Sequence, residues 1–471
     1  MPRFSRARGR LALIISTAFA ALSACSSEQP AVSPSALPVV VQATVVPGPH
    51  NVLSAVVSVS LLDVDSVAVL FGPVGTGLDS MTRMTAVASD SVDLPVLGLL
   101  PATSYQIQVR AYGAGMVAPS DTLLFTTGAL PPDLPVYSAG GSDPSPGFVV
   151  FGAYPYGLVI DNTGRVVWYR RLGGGPTLNF QVQPTGHYTT SPISPDPGDP
   201  TPWVELDPLG NETRRLGCVG GLTSRFHELV AESDGSYWLL CDDTRVMDLT
   251  PYGGMPAAVV TGTAVQHVDA SGNRLFGWTA FDHFAITDLD SASRTGATVN
   301  WTHGNAIDFD SDGNLLVSFR SLNEVTKIDL ATGAVRWRMG GRANQFTFSG
   351  MPGPFVGQHG LRLVGPGVLQ LLDNRGSPGD TRAERYHIDE AARTAELTTS
   401  YFSAPPASAL LGGSTQVLSG GRVLVAYGNG NRVQEYDASG SVVWEIHGNS
   451  GYVFRAQRIV SLYAPGAPAQ H

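Results

Sequence analysis

The 471-residue chain contains a single lysine, Lys327, and only 14% of its residues are charged. The residues before Lys327 do not form the GxxxxGK loop that cradles phosphates, which excludes nucleotide chemistry through that device. Acidic residues (39) outnumber basic ones (29), so the net charge is -10. Nucleic acid is therefore a poor partner for this protein, and so is an anionic membrane surface.

Long apolar runs are also scarce, and the clearest one lies at the N-terminus. Residues 1–10 carry four arginines, and residues 11–22 are nearly all apolar. This pattern is typical of a signal peptide and is too short for a mature transmembrane helix. Leu22-Ser23-Ala24-Cys25 resembles the bacterial lipobox, and Ser26 resembles the residue found in cargo sorted to the outer membrane. We therefore expect residues 1–25 to be a lipoprotein signal peptide ending at the lipidated Cys25.

The expected lipid anchor has consequences for the remaining cysteines and for location. Residues 26–37, rich in Ser, Pro and Ala, predict a flexible tether. We expect an exported protein held by lipid alone, at the outer membrane and facing the periplasm or the cell surface. Disulfides persist there, so Cys218 and Cys241 are expected to bond, a contribution of roughly 3 kcal/mol. Two buried thiols are the alternative, because the spacing does not fix their geometry.

Glycine (54) and proline (34) are abundant, and 43% of residues are hydrophobic, which favours a turn-rich, all-β protein with packed cores. Residues 38–128 contain short β-rich runs of a length that predicts a β-sandwich. Leu99–Tyr105 resembles the tyrosine corner of fibronectin type III domains, in which the hydroxyl bonds to nearby backbone. The resemblance implies a fibronectin type III-like domain, which we interpret as a spacer or docking module.

Two sequence patterns repeat through residues 129–471. The first is an Asp/Gly turn followed by a strand that ends in tryptophan, and it begins at Asp161, Asp329 and Asp437. The second precedes it and has turn glycines near positions 186, 235, 313, 366 and 421. Alternating inner and outer hairpins are typical of four-stranded propeller blades. With one blade shared by the first and last segments, the count predicts a six-bladed β-propeller, although residues 251–300 are irregular.

Three histidines hold nearly the same place in successive repeats. His227 lies eight residues before Gly235, His303 ten before Gly313 and His359 eight before Gly367. Residues that begin the innermost strand of each blade face one another at one mouth of a propeller channel. The register therefore predicts that the three imidazoles converge. The equivalent places in other repeats hold Phe180, an expected apolar wall, and Thr415, an expected hydroxyl contact to substrate.

Two more polar residues extend this predicted site. Asn305 lies on the same strand face as His303, and Arg320 lies on the returning strand of that hairpin. A guanidinium and an amide suit a tetrahedral oxyanion, because each charge-assisted hydrogen bond contributes on the order of 1.5–3 kcal/mol. The channel mouth is thus expected to bind a sulfate-like or phosphate-like group.

Several strings, taken in order, resemble the bacterial arylsulfate sulfotransferases over residues 135–471. They include Phe226-His227-Glu228, Trp301-Thr302-His303-Gly304-Asn305, Gln358-His359-Gly360 and Asp373-Asn374-Arg375. The resemblance implies an exported six-bladed propeller that moves a sulfuryl group from a phenolic sulfate to another phenol, without a nucleotide sulfate donor. It implies that His359 is the covalent nucleophile. His303 and His227 would bind the sulfuryl oxygens or pass the phenolic proton, and Arg320 and Asn305 would stabilise the spreading charge. The position of Thr415 departs from the family pattern, so Thr415 and Phe180 are expected to contact the substrate from the repeat register alone.

Other interpretations remain open at this stage. Three neutral histidines with a free fourth position can hold zinc, which would indicate a metal hydrolase, but Arg320 beside them would repel a dication. Asp308, Asp310 and Asp312 copy the first half of a calcium loop, whose last ligand position is Phe319 instead of Glu. A propeller that only binds proteins is a further alternative. The sequence does not distinguish a phenol from water as the acceptor.

Overall fold

The computed structural model describes residues 37–173, 178–193, 199–350, 353–375, 381–447, 451–463 and 465. The predicted signal peptide, lipidation at Cys25 and nearly all of the tether lie outside these residues. The described chain is all-β, and its only helical pieces are single 3-10 turns at Thr250–Tyr252, Ala280–Asp282, Ile286–Asp288, Ser291–Arg294, Arg320–Leu322 and Ser419–Gly421. A search of these residues finds no helix with the length and apolarity that a membrane span requires.

The N-terminal strands form two sheets. Their bounds are β1 (Val39–Pro47), β2 (Ser54–Leu62), β3 (Ser66–Pro73), β4 (Ser80–Met81), β5 (Thr85–Ala86), β6 (Ser91–Leu97), β7 (Ser104–Gly113), β8 (Met116–Pro119) and β9 (Leu123–Thr126). One sheet has the order β1-β2-β6, and the other has the order β4-β3-β7-β8 with β5 on β3 and β9 on β7. Alternate residues of both sheets meet in one apolar core, as a sandwich requires. The Tyr105 hydroxyl accepts a hydrogen bond from the Leu100 amide at 2.8 Å, as the tyrosine-corner pattern predicts.

The rest of the described chain forms six further sheets of four or five strands. The first strand of this region, β10 (Ser138–Gly140), joins the last of these sheets. The first two sheets, with the last strand of the chain added to the first, are built from β11 (Phe148–Ala153), β12 (Tyr156–Ile160), β13 (Val166–Arg171), β14 (Asn179–Val182), β15 (Tyr188–Ser191), β16 (Trp203–Leu206) and β17 (Glu212–Leu216). The next two are built from β18 (Thr223–Ala231), β19 (Tyr237–Met247), β20 (Ala258–Val268), β21 (Arg274–Thr279), β22 (Thr298–Asn300), β23 (Gly304–Phe309), β24 (Leu315–Phe319), β25 (Glu324–Ile328) and β26 (Val335–Gly340). The last strands are β27 (Thr347–Ser349), β28 (His359–Gly365), β29 (Val368–Asp373), β30 (Arg382–Asp389), β31 (Thr394–Phe402), β32 (Ser414–Val417), β33 (Val423–Ala426), β34 (Val433–Tyr436), β35 (Val442–His447) and β36 (Ala456–Ile459).

Strand pairing in these sheets is antiparallel, except that β22 pairs with β20 and β27 with β31 in parallel. The sheets follow one another in a closed ring. The innermost strands are β36, β14, β18, β23, β28 and β32, and each contacts the sheet of the next. β36 comes from the end of the chain but pairs with β11, from Phe148 opposite Ile459 to Phe151 opposite Ala456. β10 pairs with β35 of the neighbouring sheet. The two ends of this region are thus fastened together by backbone hydrogen bonds.

Local sequence explains the hairpins. The predicted turn glycines Gly186, Gly235, Gly313, Gly367 and Gly421 all have positive φ, from 65° to 88°. A side chain at such a position would be strained, so glycine allows the tight return of the chain. Residues 251–300, where the sequence repeats are irregular, contain the 11-residue strand β20 and the short strand β22. β22 pairs with β20 in parallel.

Cys218 and Cys241 form a disulfide, as expected, and both are buried. The bond joins the chain before β18 to the middle of β19, beside Trp203 and Leu229 in one apolar cluster. It therefore closes a loop across the sheet that carries His227.

We predict that replacing both cysteines with alanine lowers the free energy of unfolding by about 3 kcal/mol, because a loop of 23 residues is no longer closed in the unfolded chain. Denaturant unfolding would measure this. Reductant should bring the parent protein to the stability of the variant and leave the variant unchanged. Equal stability of the oxidised parent and the variant would contradict the prediction.

Candidate active site

The three histidines of the predicted register lie together where the inner strands begin. His227 is on β18, His303 immediately precedes β23, and His359 is the first residue of β28. The Nε2 atoms of His227 and His303 are 3.3 Å apart. The ring centroids of His227 and His359 are 6.5 Å apart, with the planes 28° from parallel. Imidazoles from three neighbouring sheets therefore form one cluster, which we call the histidine cluster.

His359 has a defined orientation and tautomer. Its Nδ1 lies 2.9 Å from Asn374 Oδ1 and 3.0 Å from the Gly357 carbonyl, both of which accept hydrogen bonds. The Asn374 amide cannot be reversed without loss, because its Nδ2 donates to the carbonyls of Ala409 and Gly412 at 3.0 Å each. Nδ1 must therefore carry the proton, which leaves the lone pair on Nε2. Asn374 belongs to the string Asp373-Asn374-Arg375 that resembles the family, but its spacing in the sequence does not predict that it positions His359.

Burial keeps the cluster uncharged. His227 and His359 are 3% and 2% exposed. Burial lowers the pKa of His359 to about 4; the hydrogen bond to Asn374 opposes this shift and the Arg320 charge adds to it. Burial, with neighbouring imidazoles and guanidiniums, also holds the pKa values of His227 and His303 well below the usual range. All three rings are thus neutral at neutral pH.

Two guanidiniums border the cluster. Arg320, at the end of β24, donates from Nη2 to the Leu410 carbonyl at 3.0 Å, and its buried Nε has no partner among the described residues. Arg225, which the sequence analysis missed, places Nη2 3.5 Å from His303 Nδ1 and pairs with Asp242 at 2.5 Å. Arginine stays charged even when burial lowers its pKa, as it does for Arg320. The cluster therefore carries fixed positive charge beside neutral rings.

A buried ion network lies directly behind His227. Glu228 accepts from Arg455 at 2.5 and 2.9 Å and from Arg362 at 3.1 Å. Burial acts to raise the pKa of Glu228, but the two arginines hold it below its usual value. Arg455 also donates to the His227 carbonyl at 3.2 Å, which fixes the backbone of that residue. Arg362 is also close enough to the buried Asp308 to interact with its charge, so the network behind His227 contains two arginines and two carboxylates.

Aromatic rings cover one side of the cluster. Phe226 and Phe454 are 5.4 Å apart, and Phe454 lies 5.7 Å from His227 and 6.4 Å from His359. Tyr452 packs against Phe454 at 6.4 Å. These rings offer a face on which a flat aryl group can stack.

Phe180 does not provide this wall. It is fully buried between Trp168 and Tyr188, at centroid distances of 5.7 and 5.2 Å, and packs under Gly157. A small residue on β12 leaves room for the ring, so the side chain turns into the core between two sheets. We therefore leave Phe180 out of the candidate site.

Asn305 and Thr415 lie on inner strands but differ in what they contact. Asn305 donates from Nδ2 to the Gln358 carbonyl at 2.6 Å, and so fastens β23 to the residue before His359. The structure thus gives its amide nitrogen a positioning contact, whereas Oδ1 is buried without a partner in the described residues. Thr415, on β32, is 3% exposed, and its hydroxyl also lacks a partner there.

The residues considered for metals have other partners. Lys327 Nζ lies 2.6 Å from Asp310, 2.7 Å from Asp312 and 2.7 Å from Glu390. Asp308 instead accepts from the amides of Leu363 and Phe309. An ammonium group thus fills the place between the carboxylates, and these residues do not fit a calcium ion. No group of three or more His, Cys, Asp or Glu in the described part of the chain is arranged to hold a metal.

The fold and the cluster define an all-β protein with a buried, cationic site that suits an oxyanion carrying an aryl group. Residues 222–449 match the family model described as Arylsulfotransferase (ASST). The match supports the arylsulfotransferase family for this chain and suggests that activity. It spans the three histidines and Arg320 but not Arg455. No curated protein sequence matches the chain.

Some solved structures resemble the chain. A protein of unknown function from Bacteroides caccae is 12% identical, with 66% of this chain and 98% of that chain covered and a TM-score of 0.44. A streptogramin B lyase is 13% identical (66% and 84% covered, TM-score 0.38). The virginiamycin B lyase from Staphylococcus aureus is 12% identical (74% and 93% covered, TM-score 0.36). We draw no conclusion about chemistry from these similarities.

We predict that His359 stays a neutral, Nδ1-protonated ring as the pH falls from 8 to about 5, because burial favours the uncharged form. Two-dimensional 15N–1H NMR of the imidazoles would follow it. His187 is an internal control: its Nδ1 lies 3.4 Å from the Glu205 carboxylate, which raises the pKa of His187, so it should protonate first. Protonation of His359 before His187 would contradict the prediction.

Proposed function

We propose that the protein transfers a sulfuryl group from an aryl sulfate to a phenolic acceptor, without a nucleotide sulfate donor, through a transient sulfohistidine at His359. The observation that carries the proposal is the orientation of His359. Its Nδ1 proton is held by Asn374 and Gly357, so a nucleophilic lone pair on Nε2 lies in a cluster bordered by cationic and aromatic groups. The family match independently supports arylsulfotransferase activity.

In the first step, His359 Nε2 attacks sulfur, the N–S bond forms and the bond from sulfur to the aryl oxygen breaks. The aryl oxygen leaves as a phenolate, which is a weak base and so a good leaving group. The substituted imidazole gains positive charge, which its Nδ1–H shares with the Asn374 and Gly357 oxygens. Gly412 donates its amide to the same Nε2 at 3.3 Å, so this contact is exchanged for the bond to sulfur.

In the second step, the oxygen of the acceptor phenol attacks sulfur and the N–S bond breaks, which returns neutral His359. The phenolic proton passes to His227 or His303 and from there to the released phenolate or to solvent. Arg320 would hold the sulfuryl oxygens as charge spreads over them. As in phosphoryl transfer, positioning and fixed charge supply most of the acceleration. Asn305 would position His359, and Thr415 would offer its unpartnered hydroxyl to the substrate.

The proposal includes the architecture and location inferred from the sequence. We propose that residues 129–471 form a six-bladed catalytic propeller and that residues 38–128 are a fibronectin type III-like module. The closed ring of inner strands supports the first, and the tyrosine corner supports the second. An exported, lipid-anchored location at the outer membrane stays a prediction from residues 1–37. It is consistent with the buried disulfide.

We predict that His359→Ala lowers the rate of transfer from a chromogenic aryl sulfate to phenol by about 10⁴-fold or more, because the nucleophile is lost. His447→Ala, at an exposed histidine on β35, is the matched control and should keep full activity. Both variants should unfold at the denaturant concentration of the parent, within experimental error. Substantial transfer by His359→Ala would refute the covalent route.

We predict that Arg320→Met lowers kcat by about 10²- to 10³-fold, because the charge that grows on the sulfuryl oxygens loses its fixed partner. Arg320→Lys should recover part of the rate, since it keeps the charge but loses the planar fork. Steady-state kinetics would separate kcat from KM. An effect on KM alone would show that Arg320 only binds the donor.

A further inference from the structure

The two ring nitrogens of His303 have different kinds of neighbour. Nδ1 lies 2.6 Å from Asn300 Nδ2 and 3.5 Å from Arg225 Nη2. Nε2 lies 3.3 Å from Nε2 of His227. Arginine can only donate hydrogen bonds, and the amide nitrogen of Asn300 is a donor as well. Nδ1 is therefore an acceptor, and in the neutral ring the proton is on Nε2.

Other contacts hold the Arg225 side chain and the backbone of Asn300. Arg225 is bound at Nη1 by Asp242, and its carbonyl accepts from Trp203 Nε1 at 3.0 Å. Asn300 ends β22, where it lies opposite Thr261 of β20. The donors thus come from two different strands of one sheet, while His303 leads into the next sheet. Residues of one sheet therefore determine the tautomer of a histidine that belongs to the next sheet.

The backbone of His303 is also constrained. Its φ of 51° lies in the left-handed region, which is unusual for a residue with a side chain. The conformation is held because the His303 carbonyl accepts from the Arg320 amide at 3.0 Å and the next amide, of Gly304, donates to Thr263. A strained backbone conformation persists only where surrounding contacts hold it in place. Here the conformation of His303 points its ring towards His227.

Groups on every element packed against the ring disfavour its protonation. They are Arg225 and His227 on β18, Arg320 after β24 and His359 on β28. The carboxylate of Asp242 is bound to Arg225. Burial and these neighbours hold the pKa of His303 well below its usual value. The ring therefore works as a neutral N–H donor.

We propose that Asn300 and Arg225 are positioning residues that hold His303 with its proton on Nε2, so that His303 donates to a sulfuryl oxygen and His227 Nε2 is the base for the acceptor phenol. The assignment of roles rests on the proposed sulfuryl transfer, whereas the tautomer rests on the contacts alone. Without substrate, the Nε2–H of His303 faces Nε2 of His227 at 3.3 Å. With substrate bound, this N–H would donate to a sulfuryl oxygen instead. The lone pair on His227 Nε2 would then be free to accept the phenolic proton.

Asn300→Asp tests this assignment, because a carboxylate only accepts hydrogen bonds. In the parent protein, 15N–1H NMR should show the Nε2–H tautomer of His303 at pH 8. In the variant, the tautomer should switch to Nδ1–H, and the carboxylate should make the ring easier to protonate. Transfer at pH 8 should fall by about 10²-fold, since the donor is lost. The rate should rise again as the pH is lowered, because the imidazolium carries both protons, whereas the parent should show no such rise.

Two controls make the result specific. Asn300→Ala keeps the donor from Arg225, so it should retain the Nε2–H tautomer, lose less activity and show no acid-side rise. The double variant Asn300→Asp/Arg225→Met removes the cation that competes for the new carboxylate and should switch the tautomer fully. An Nδ1–H tautomer in the parent protein would overturn the assignment.

The failure of the two proposals can be told apart. If no aryl sulfate is turned over but the tautomers are as stated, the proposed function fails and the hydrogen-bond assignment stands. If the double variant switches the tautomer yet keeps the pH 8 rate and pH profile of Arg225→Met alone, His303 is not the donor. If it leaves the tautomer unchanged, Asn300 does not position the ring.

Discussion

The structure depends on how buried charge is arranged around the histidine cluster. Guanidiniums from three sheets approach the rings, and two buried or half-buried carboxylates are bound to arginines: Glu228 to Arg455 and Arg362, and Asp242 to Arg225. Burying an unpaired charge costs several kcal/mol, so these pairings are what allow the cations to stay in the interior. Their geometry leaves positive charge and N–H groups facing the rings, an environment suited to an oxyanion.

The same burial suits His359 to its proposed role as the nucleophile. An exposed imidazole spends part of its time protonated near neutral pH, whereas the buried ring of His359 keeps its lone pair. Asn374 fixes which nitrogen carries that pair. The proposed nucleophile and the proposed oxyanion site thus depend on one feature, namely that side chains from adjacent inner strands are buried together. The disulfide and the shared strands β36 and β10 lie in the framework that keeps those strands in register.

Much of the fold could be predicted from the sequence, because its signals are local. A glycine with positive φ marks each predicted inner hairpin, and a repeated register implies that His227, His303 and His359 meet at one end of the ring. Side-chain direction and contacts between sheets are not local. Phe180 shares the register but turns into the core, and Arg225 and Asn374 reach the cluster from positions whose spacing carries no signal. The motif that begins at Asp308 resembles a calcium loop in sequence, but in the fold Lys327 lies between the carboxylates of Asp310 and Asp312.

The most direct measurement is the intact mass of the protein after mixing with an aryl sulfate in the absence of acceptor, followed by peptide mapping at alkaline pH. The account predicts one added sulfuryl group, located on the His359 peptide, that disappears when phenol is supplied and appears in the phenyl sulfate formed. An unmodified protein that nevertheless transfers sulfuryl groups, or an adduct on another residue that is competent for transfer, would contradict it.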